Sequence, residues 1–234
     1  AAAAAPRFES RLLLPGLYFA GDLVFWHWAL AATSVAAATL ESNLTPIFVA
    51  LALWVLHGER PSGRFLFALL VSLVGVLLIA SPKLRGAGSV RGDVYGVITA
   101  MFYAGYLFTV SRLRAQYSTA AVMFWSVAIS ALVLLPLGLA GKFWPDSARG
   151  WAMLLGLALV AQCLGQGLIT WALAHLPATF GAVGLYLQPV AAAVYAWWIL
   201  GESLLPVQLA GGIVVLVGIT LARAATVRAS RSAP

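Results

Sequence analysis

The chain has 234 residues, of which 62% are hydrophobic and 9% are charged, and its net charge is +7. This number of charged side chains is too small to cover the surface of a soluble domain of this length. The composition therefore excludes an ordinary soluble protein and indicates a membrane protein. The basic residues lie mainly in short loops and at the C-terminus. This distribution favours an effect on membrane orientation over nucleic-acid binding.

Eight apolar stretches approach the roughly 20 residues that a helix needs to cross a bilayer. In chain order they cover residues 12–32, 35–56, 65–81, 93–110, 119–140, 150–174, 179–200 and 206–224. Of the 14 Lys and Arg residues, nine lie at one set of alternate loops and ends and five at the other. The excess predicts a multi-pass protein of the inner (plasma) membrane with its C-terminus in the cytoplasm.

An internal duplication relates residues 14–80 to residues 157–223, with an offset of 143. Trp28 matches Trp171, Pro46 matches Pro189, and Gly58 matches Gly201. The copies begin with the first and the sixth span, so an odd number of crossings separates them and they point in opposite directions. Such inverted repeats are typical of secondary transporters with alternating access to a central site.

The repeat also divides the chain. We expect a first repeat at 1–82, a linker at 83–92, a second repeat at 93–224 and a cytoplasmic tail at 225–234. Three spans precede the linker and five follow it. If each repeat has five helices, the complete protein has ten, so we expect that eight are visible here and that two N-terminal helices are missing. The expected fold class is all-α, a polytopic transmembrane helical bundle of two inverted repeats.

Several segments of the first half together carry a family resemblance. They are Trp28-Ala-Leu, the run from Thr33 to Leu40, Asn43-Leu-Thr-Pro46, Leu56-His-Gly-Glu-Arg-Pro61 and Gly75-Val76. As a set they resemble the EamA domain of the drug/metabolite transporter superfamily. The resemblance implies ten helices in two inverted repeats, cytoplasmic termini, and export of amino acids or other small metabolites. Glu41 and His27 depart from the apolar or aromatic residues usual there, which makes the expected cavity more polar.

Ionisable residues within the spans are the first candidates for substrate contacts, because a charge inside a membrane costs several kcal/mol. Asp22 lies halfway along the first span, with Trp26 one turn later on the same face. The pair could attract an ammonium group by charge and by cation–π contact, or Asp22 could carry a proton. A hydrogen bond from Asp22 to a neighbouring helix is the structural alternative.

Three further polar positions extend the candidate site. His27 lies about 140° around the helix from Asp22 and matches Thr170, whose face also carries Gln162 and Gln166. Such a stripe needs a wet cavity or partner helices. Hydrogen-bonded packing is the alternative for His27.

The second span and its copy add two polar residues and two hinges. Glu41 matches Gly184, and Gln188 matches Thr45, so the two halves would offer unlike polar groups to one substrate. Glu41 could instead be a hydrated surface acid. Pro46 and Pro189 each interrupt a span, and we expect them to act as hinges, with static kinks as the alternative.

Two tyrosines of the fourth span complete the candidate site. Tyr103 and Tyr106 are expected to line an aromatic-tolerant cavity, although the aromatic belt at the membrane surface is an alternative place for tyrosine.

Together these features predict a secondary-type transporter that exports small metabolites, with amino acids favoured, by alternating access around a central cavity. The expected partners are a small-molecule substrate and membrane lipid, with protons as a further candidate and no nucleic acid. The chain has no phosphate-binding loop, zinc-protease motif or nucleophile elbow, so we expect no cofactor, no metal and no enzyme activity. The alternatives are a channel-like facilitator and a membrane enzyme acting on lipid, although the polar residues cluster near mid-span.

Overall fold

The computed structural model describes residues 8–83, 89–141, 144–201 and 203–232. Within these residues the chain is helical, with short connections, and the all-α prediction is confirmed. The α-helices are α1 (Leu13–Ala32), α2 (Val35–Ser42), α3 (Thr45–His57), α4 (Gly63–Ala80), α5 (Val90–Leu113), α6 (Thr119–Leu139), α7 (Ala148–Gly156), α8 (Gly167–Ala172), α9 (Ala178–Gly184), α10 (Leu187–Leu200) and α11 (Pro206–Ser232). Short 3₁₀ turns cover Ser10–Leu12 and Ser81–Lys83, and a π-helical segment covers Leu157–Gln166. Half of the predicted linker, residues 84–88, lies outside the described part.

Seven helical stretches of the described chain are long and apolar enough to cross a membrane. They are Val35–His57, Gly63–Ala80, Val90–Leu113, Thr119–Leu139, Ala148–Ala172, Ala178–Ile199 and Pro206–Thr226. The first predicted span is helical too, as α1, but it does not belong to this set. Large apolar side chains face outward on the bundle, including Trp198 with 73% of its surface exposed.

Two of the predicted spans are each broken into two helices, at positions that correspond to within one residue. The first break, at Asn43 and Leu44, separates α2 from α3, and the second, at Leu185 and Tyr186, separates α9 from α10. Each proline then falls in the first turn of the following helix, where its missing N–H is not needed. The prolines therefore start new half-helices instead of kinking continuous ones.

The duplication is also visible in the backbone. Gly58 ends α3 with φ +70°, and its counterpart Gly201 ends α10 with φ +67°. These are the residues with positive φ in the described chain. Glycine adopts this left-handed conformation without the steric cost that a Cβ atom brings.

We expect Gly58→Ala and Gly201→Ala each to lower stability by about 1 kcal/mol, because alanine is strained at positive φ. Thermal unfolding of the purified protein measures the effect. Gly63→Ala is the matched control, since a Cβ atom there meets nothing within 4 Å and its φ is not in the positive range. An equal loss of stability in all three variants would contradict the backbone explanation.

The helix that ends the first half packs against its own copy. Helices α4 and α11 form the most extensive contact between described elements, and they run antiparallel, because Ser72 faces Gly218, Gly75 faces Val215, and Ile79 faces Gly211. Residues 75 and 218 are counterparts, and so are 72 and 215. A two-fold rotation that exchanges the two copies therefore turns the contact of Ser72 with Gly218 into the contact of Val215 with Gly75.

The first helix is held in the bundle by close contacts with α5 and α6. A Cβ atom added to Gly16 would lie 2.5 Å from the Cβ of Ile129, and Gly105 lies against the Tyr18 ring. Small residues allow helices in membranes to approach closely and gain van der Waals contact. Helix α1 therefore lies against the bundle through α5 and α6, despite its polar residues.

The copy of α1 differs from it in geometry. The predicted span 150–174 consists of α7, the ten-residue π-helical segment and α8. Gly156 and Gly167 flank the π-helical segment, and glycine stabilises an α-helix poorly. Most side chains of the segment are exposed, so little packing enforces the α-helical register, whereas Gln166 at its end is buried. Hydrophobic periodicity does not reveal such a segment.

The last helix is longer than the predicted span. The sequence predicts a span that ends near residue 224, followed by a tail, but α11 continues to Ser232. Two alanines and two arginines, which favour the helical state, lie among the eight residues of this extension.

Candidate functional site

A polar cluster lies between α1 and α5 in the middle of the bundle. The rings of Tyr103 and Tyr106 on α5 stack with their centroids 5.9 Å apart and an interplanar angle of 9°. Tyr106 is fully buried and packs against Phe19 of α1 at 5.2 Å. The half-buried Asp22 carboxyl is close enough to act electrostatically on both tyrosine hydroxyls.

Side chains from α8 and the preceding π-helical segment close the other side of this cluster. The Tyr103 hydroxyl donates to Oε1 of Gln166 at 3.5 Å. The hydroxyls of Tyr106 and Thr170 lie 3.5 Å apart, and the Thr170 hydroxyl also contacts the Met123 sulfur at 3.2 Å. We call Asp22, Tyr103, Tyr106, Gln166 and Thr170 the central cluster.

One donor in the central cluster has no partner. Gln166 is 9% exposed, and its Nε2 atom is buried without a hydrogen bond. An unpaired buried amide costs about 1–3 kcal/mol, so it marks a place where a ligand with an acceptor oxygen would be favourable. The cluster thus combines a carboxylate, a free amide donor and two phenol hydroxyls.

The other predicted substrate contacts differ in their exposure. Trp26 and Gln162 are half-buried, and Gln188 is exposed. His27 is exposed, and its Nδ1 is hydrogen-bonded to the carbonyl of Leu23 at 2.7 Å, one turn back on its own helix. Of the nine predicted substrate contacts, Asp22, Tyr103, Tyr106 and Gln166 come together.

Glu41 lies at one end of the bundle, which we call the Ser89 end after the residue that caps the start of α5. There the hydroxyl of Ser89 donates to the carbonyl of Ala32 at 2.7 Å, and Thr33 donates to Oδ1 of Asp93 at 3.0 Å. Glu41 packs directly on Gly96. It is therefore part of a second polar group, not of the central cluster.

Sequence reasoning omitted Thr170, Met123 and Asp93 from the site. The sequence could have indicated Thr170, because this residue continues the polar stripe of Gln162 and Gln166 at four-residue spacing. Asp93 falls near the start of its helix, where acidic residues are ordinary, and an apolar methionine carries no signal of its own.

A cavity of about 390 Å³ opens at the Ser89 end between the two halves. Its walls come from α2, α4, α10 and α11, and they include Ser34, Thr39, Pro189, Ala193 and Gln208. The lining is mostly apolar. The predicted hinge Pro189 thus borders the opening between α2 and α10.

The opposite end of the bundle is tied together, and we call it the Arg114 end. The guanidinium of Arg114 donates to the carbonyls of Thr170, at 3.3 Å, and of Tyr117. The Tyr117 hydroxyl donates to Glu9, and this hydrogen bond raises the pKa of Tyr117. These bonds join the beginning of α1, the turn after α5 and the end of α8.

No group of three or more His, Cys, Asp and Glu side chains among the described residues could hold a metal ion.

Known proteins resemble this chain in sequence. It is 32% identical over 206 residues to the pseudopaline exporter CntI of Pseudomonas aeruginosa strain UCBPP-PA14, an alignment that covers 88% of this chain and 72% of the exporter. It is 28% identical over 217 residues to a probable terminal-alkyne amino-acid exporter of Streptantibioticus cattleyicolor, covering 90% of this chain and 71% of that protein.

Structure and family comparisons agree with these relatives. A solved crystal structure superposes with a TM-score of 0.79 at 19% identity, covering 97% of this chain and 80% of the other, which supports the fold. The sequence profile of the EamA-like transporter family matches residues 12–81 and 90–224. The chain is therefore a multi-pass membrane protein that belongs to the EamA-like transporter family.

Proposed function

We propose that this transporter exports a small amino-acid-like zwitterion by alternating access around the central cluster. Two relatives are named as exporters, and one of them as an amino-acid exporter. The observation that carries the proposal is the unpartnered Nε2 of Gln166 in the same cluster as the Asp22 carboxylate.

The cluster fits both charges of a zwitterion. The Asp22 carboxylate would accept hydrogen bonds from the substrate ammonium group, and the stacked faces of Tyr103 and Tyr106 would add cation–π attraction. The Nε2 donor of Gln166 would hold the substrate carboxylate. Because membrane surroundings have a low dielectric constant, both contacts are stronger there than in water.

Alternating access requires two parts that move against each other. We assign these parts to residues 1–82 and 93–224, with 83–92 as the linker. The antiparallel pairing of α4 with its copy α11 supports this division, as do the matching breaks after α2 and α9. Pro46 and Pro189 start the half-helices beyond these breaks and would act as the hinges.

The distribution of basic residues among the loops supports one orientation. We place the protein in the inner membrane with the C-terminus and the Arg114 end facing the cytoplasm, because the basic residues are more frequent on that side. The Ser89 end then faces outward, and the cavity between α2 and α10 would be the exit route.

Counterflow in proteoliposomes tests the proposal. Vesicles loaded with one unlabelled L-amino acid at a time are placed in a trace of the same labelled amino acid. A carrier accumulates label transiently, whereas a channel only equilibrates it. If a complete screen of the twenty amino acids produces no accumulation, while a polyamine or a sugar does, the assignment to amino acids is wrong.

A substitution at Gln166 tests the proposed contact with the carboxylate. We expect Gln166→Leu to weaken inhibition by the transported amino acid about 10-fold, because one hydrogen bond to a charged group is lost. The amide derivative of the same amino acid lacks the carboxylate, so its inhibition should change much less. Equal losses for both compounds would contradict the proposed contact.

A further inference from the structure

A groove on the surface of the bundle runs between α3 and α5, with α1 on one side. It has a volume of about 450 Å³ and a mostly apolar lining. Helices α3 and α5 run side by side in the same direction, since Thr45 at the start of α3 donates to the carbonyl of Ala100 at 3.4 Å. At the end of α3, the centroids of the His57 and Phe108 rings lie 5.4 Å apart. The lining includes Tyr18, Leu51, Ala52, Val55, Leu56 and Met101.

The groove faces away from the central cluster. Leu51 and Met101 are exposed, and Val55 has 71% of its surface exposed. Met101 lies about 160° around α5 from Tyr103, whose hydroxyl donates to Gln166 in the central cluster. The groove therefore opens to the lipid chains of the membrane, on the opposite side of α5 from the proposed substrate contacts.

The groove is matched in length to one leaflet of a bilayer. It begins at Met101, in the middle of α5, and leads towards Arg112, near the end of that helix. This stretch of helix rises about 16 Å, and half of the hydrocarbon core of a bilayer measures about 15 Å. An acyl chain that lies along the groove would thus reach from the centre of the bilayer to the headgroup region.

A cation lies where the groove reaches the headgroup region. The exposed guanidinium of Arg112 lies over the Phe108 ring, 4.9 Å from its centroid, and the exposed His57 contacts the same ring. Glu59 borders a small recess together with Arg112. Within the described part of the chain, however, Arg112 forms neither an ion pair nor a hydrogen bond. Its donors are therefore available to an anion.

We propose that this groove binds an anionic phospholipid, with one acyl chain between α3 and α5 and the phosphate group on Arg112. A planar guanidinium can hold two phosphate oxygens at once. Anionic lipids of the cytoplasmic leaflet attract basic groups, and Arg112 lies at the end of the bundle that we place in the cytoplasm. A zwitterionic phospholipid fits the same groove, but its own cation offsets the phosphate charge. The headgroup therefore decides which lipid is bound.

Quenching by brominated lipids reports binding at this groove and requires no transport substrate. Val55→Cys would carry a bimane label, in a Cys163→Ser background that removes the exposed natural cysteine. The protein is reconstituted in mixtures of phosphatidylglycerol and phosphatidylcholine, with bromine on the chains of one lipid at a time. Quenching as a function of composition measures the relative affinity of the two lipids. A label on Phe124→Cys is the control, because Phe124 is exposed near the same end of the bundle, on α6.

We expect phosphatidylglycerol to be preferred about five-fold at position 55, the effect of one basic group near the headgroups, and to have no such advantage at position 124. Arg112→Gln should remove the preference. Arg223→Gln, which removes an exposed arginine on α11, should leave it unchanged. Ala52→Leu fills part of the groove, so it should reduce quenching by both lipids alike.

Circular dichroism shows whether each variant keeps its helices, and the exposed position of Arg112 means that its substitution removes no buried side chain. Equal quenching by both lipids at position 55, or a preference that survives Arg112→Gln, would overturn the proposal. The same preference at positions 55 and 124 would also overturn it, because general attraction to the basic end would then explain the binding. None of these outcomes depends on amino-acid export, which counterflow measures separately.

Discussion

Asp22→Asn should reduce counterflow about 100-fold, the largest effect that we expect on transport. The substitution keeps the size of the side chain but removes the negative charge that would hold the substrate ammonium group. Loss of one member of a buried, hydrogen-bonded charge pair typically costs a few kcal/mol, and about 3 kcal/mol corresponds to 100-fold. Initial rates of labelled amino-acid counterflow measure the effect.

The matched control is Glu59→Gln, which also neutralises one carboxylate of the first half. Glu59 is exposed in the turn after α3 and lies outside the central cluster, so we expect its rate to stay within about two-fold of the wild-type rate. A similar reduction in both variants would mean that net charge, and not the place of Asp22, is what matters. Unchanged counterflow in Asp22→Asn would exclude Asp22 from the binding site.

Gly211→Ala should produce one of the largest losses of stability among single-methyl substitutions in the helix contacts. The added Cβ atom would lie 2.7 Å from the carbonyl oxygen of Gly75 and 2.9 Å from the backbone nitrogen of Ile79. Backbone atoms cannot move aside without separating α4 from α11. Overpacking of this kind costs about 1–3 kcal/mol, and we expect the midpoint of thermal unfolding to fall by roughly 5 °C.

The neighbouring glycine provides a control on the same helix turn. A Cβ atom at Gly212 would have its nearest contact at 3.8 Å, with Cγ1 of Val190. Gly212→Ala should therefore leave the unfolding midpoint unchanged or raise it slightly, because alanine favours the helix. If the two variants unfold at the same temperature, close contact between α4 and α11 does not limit stability.

The duplicated segments explain why the fold was largely predictable. Apolar stretches of spanning length predict helices wherever a bilayer excludes water, and the match of Gly58 with Gly201 located two helix ends at once. Pro46 and Pro189 indicated an irregularity in each of these two spans, but the sequence did not show that a new half-helix starts just before each proline. Nor did it reveal the π-helical segment, whose register depends on weak packing around Gly156 and Gly167.

The central cluster was predictable only in part. Asp22 and Gln166 were identified because polar side chains in apolar spans are costly. His27 had the same signal, yet its imidazole bonds to the carbonyl of Leu23 and faces outward. Which side of a helix faces the interior depends on its neighbours, and a single sequence does not specify them. The contact of Glu41 with Gly96 joins helices that are distant along the chain, so it required the structure.

The pairing of α4 with α11 has a consequence for the history of the chain. Because Ser72 meets Gly218 as Val215 meets Gly75, the contact has the geometry of a symmetric homodimer whose subunits lie in opposite orientations. A half-length ancestor inserted into the membrane both ways would form the same contact with itself. Gene fusion would then fix one copy in each orientation, after which Ser72 and Val215 were free to diverge.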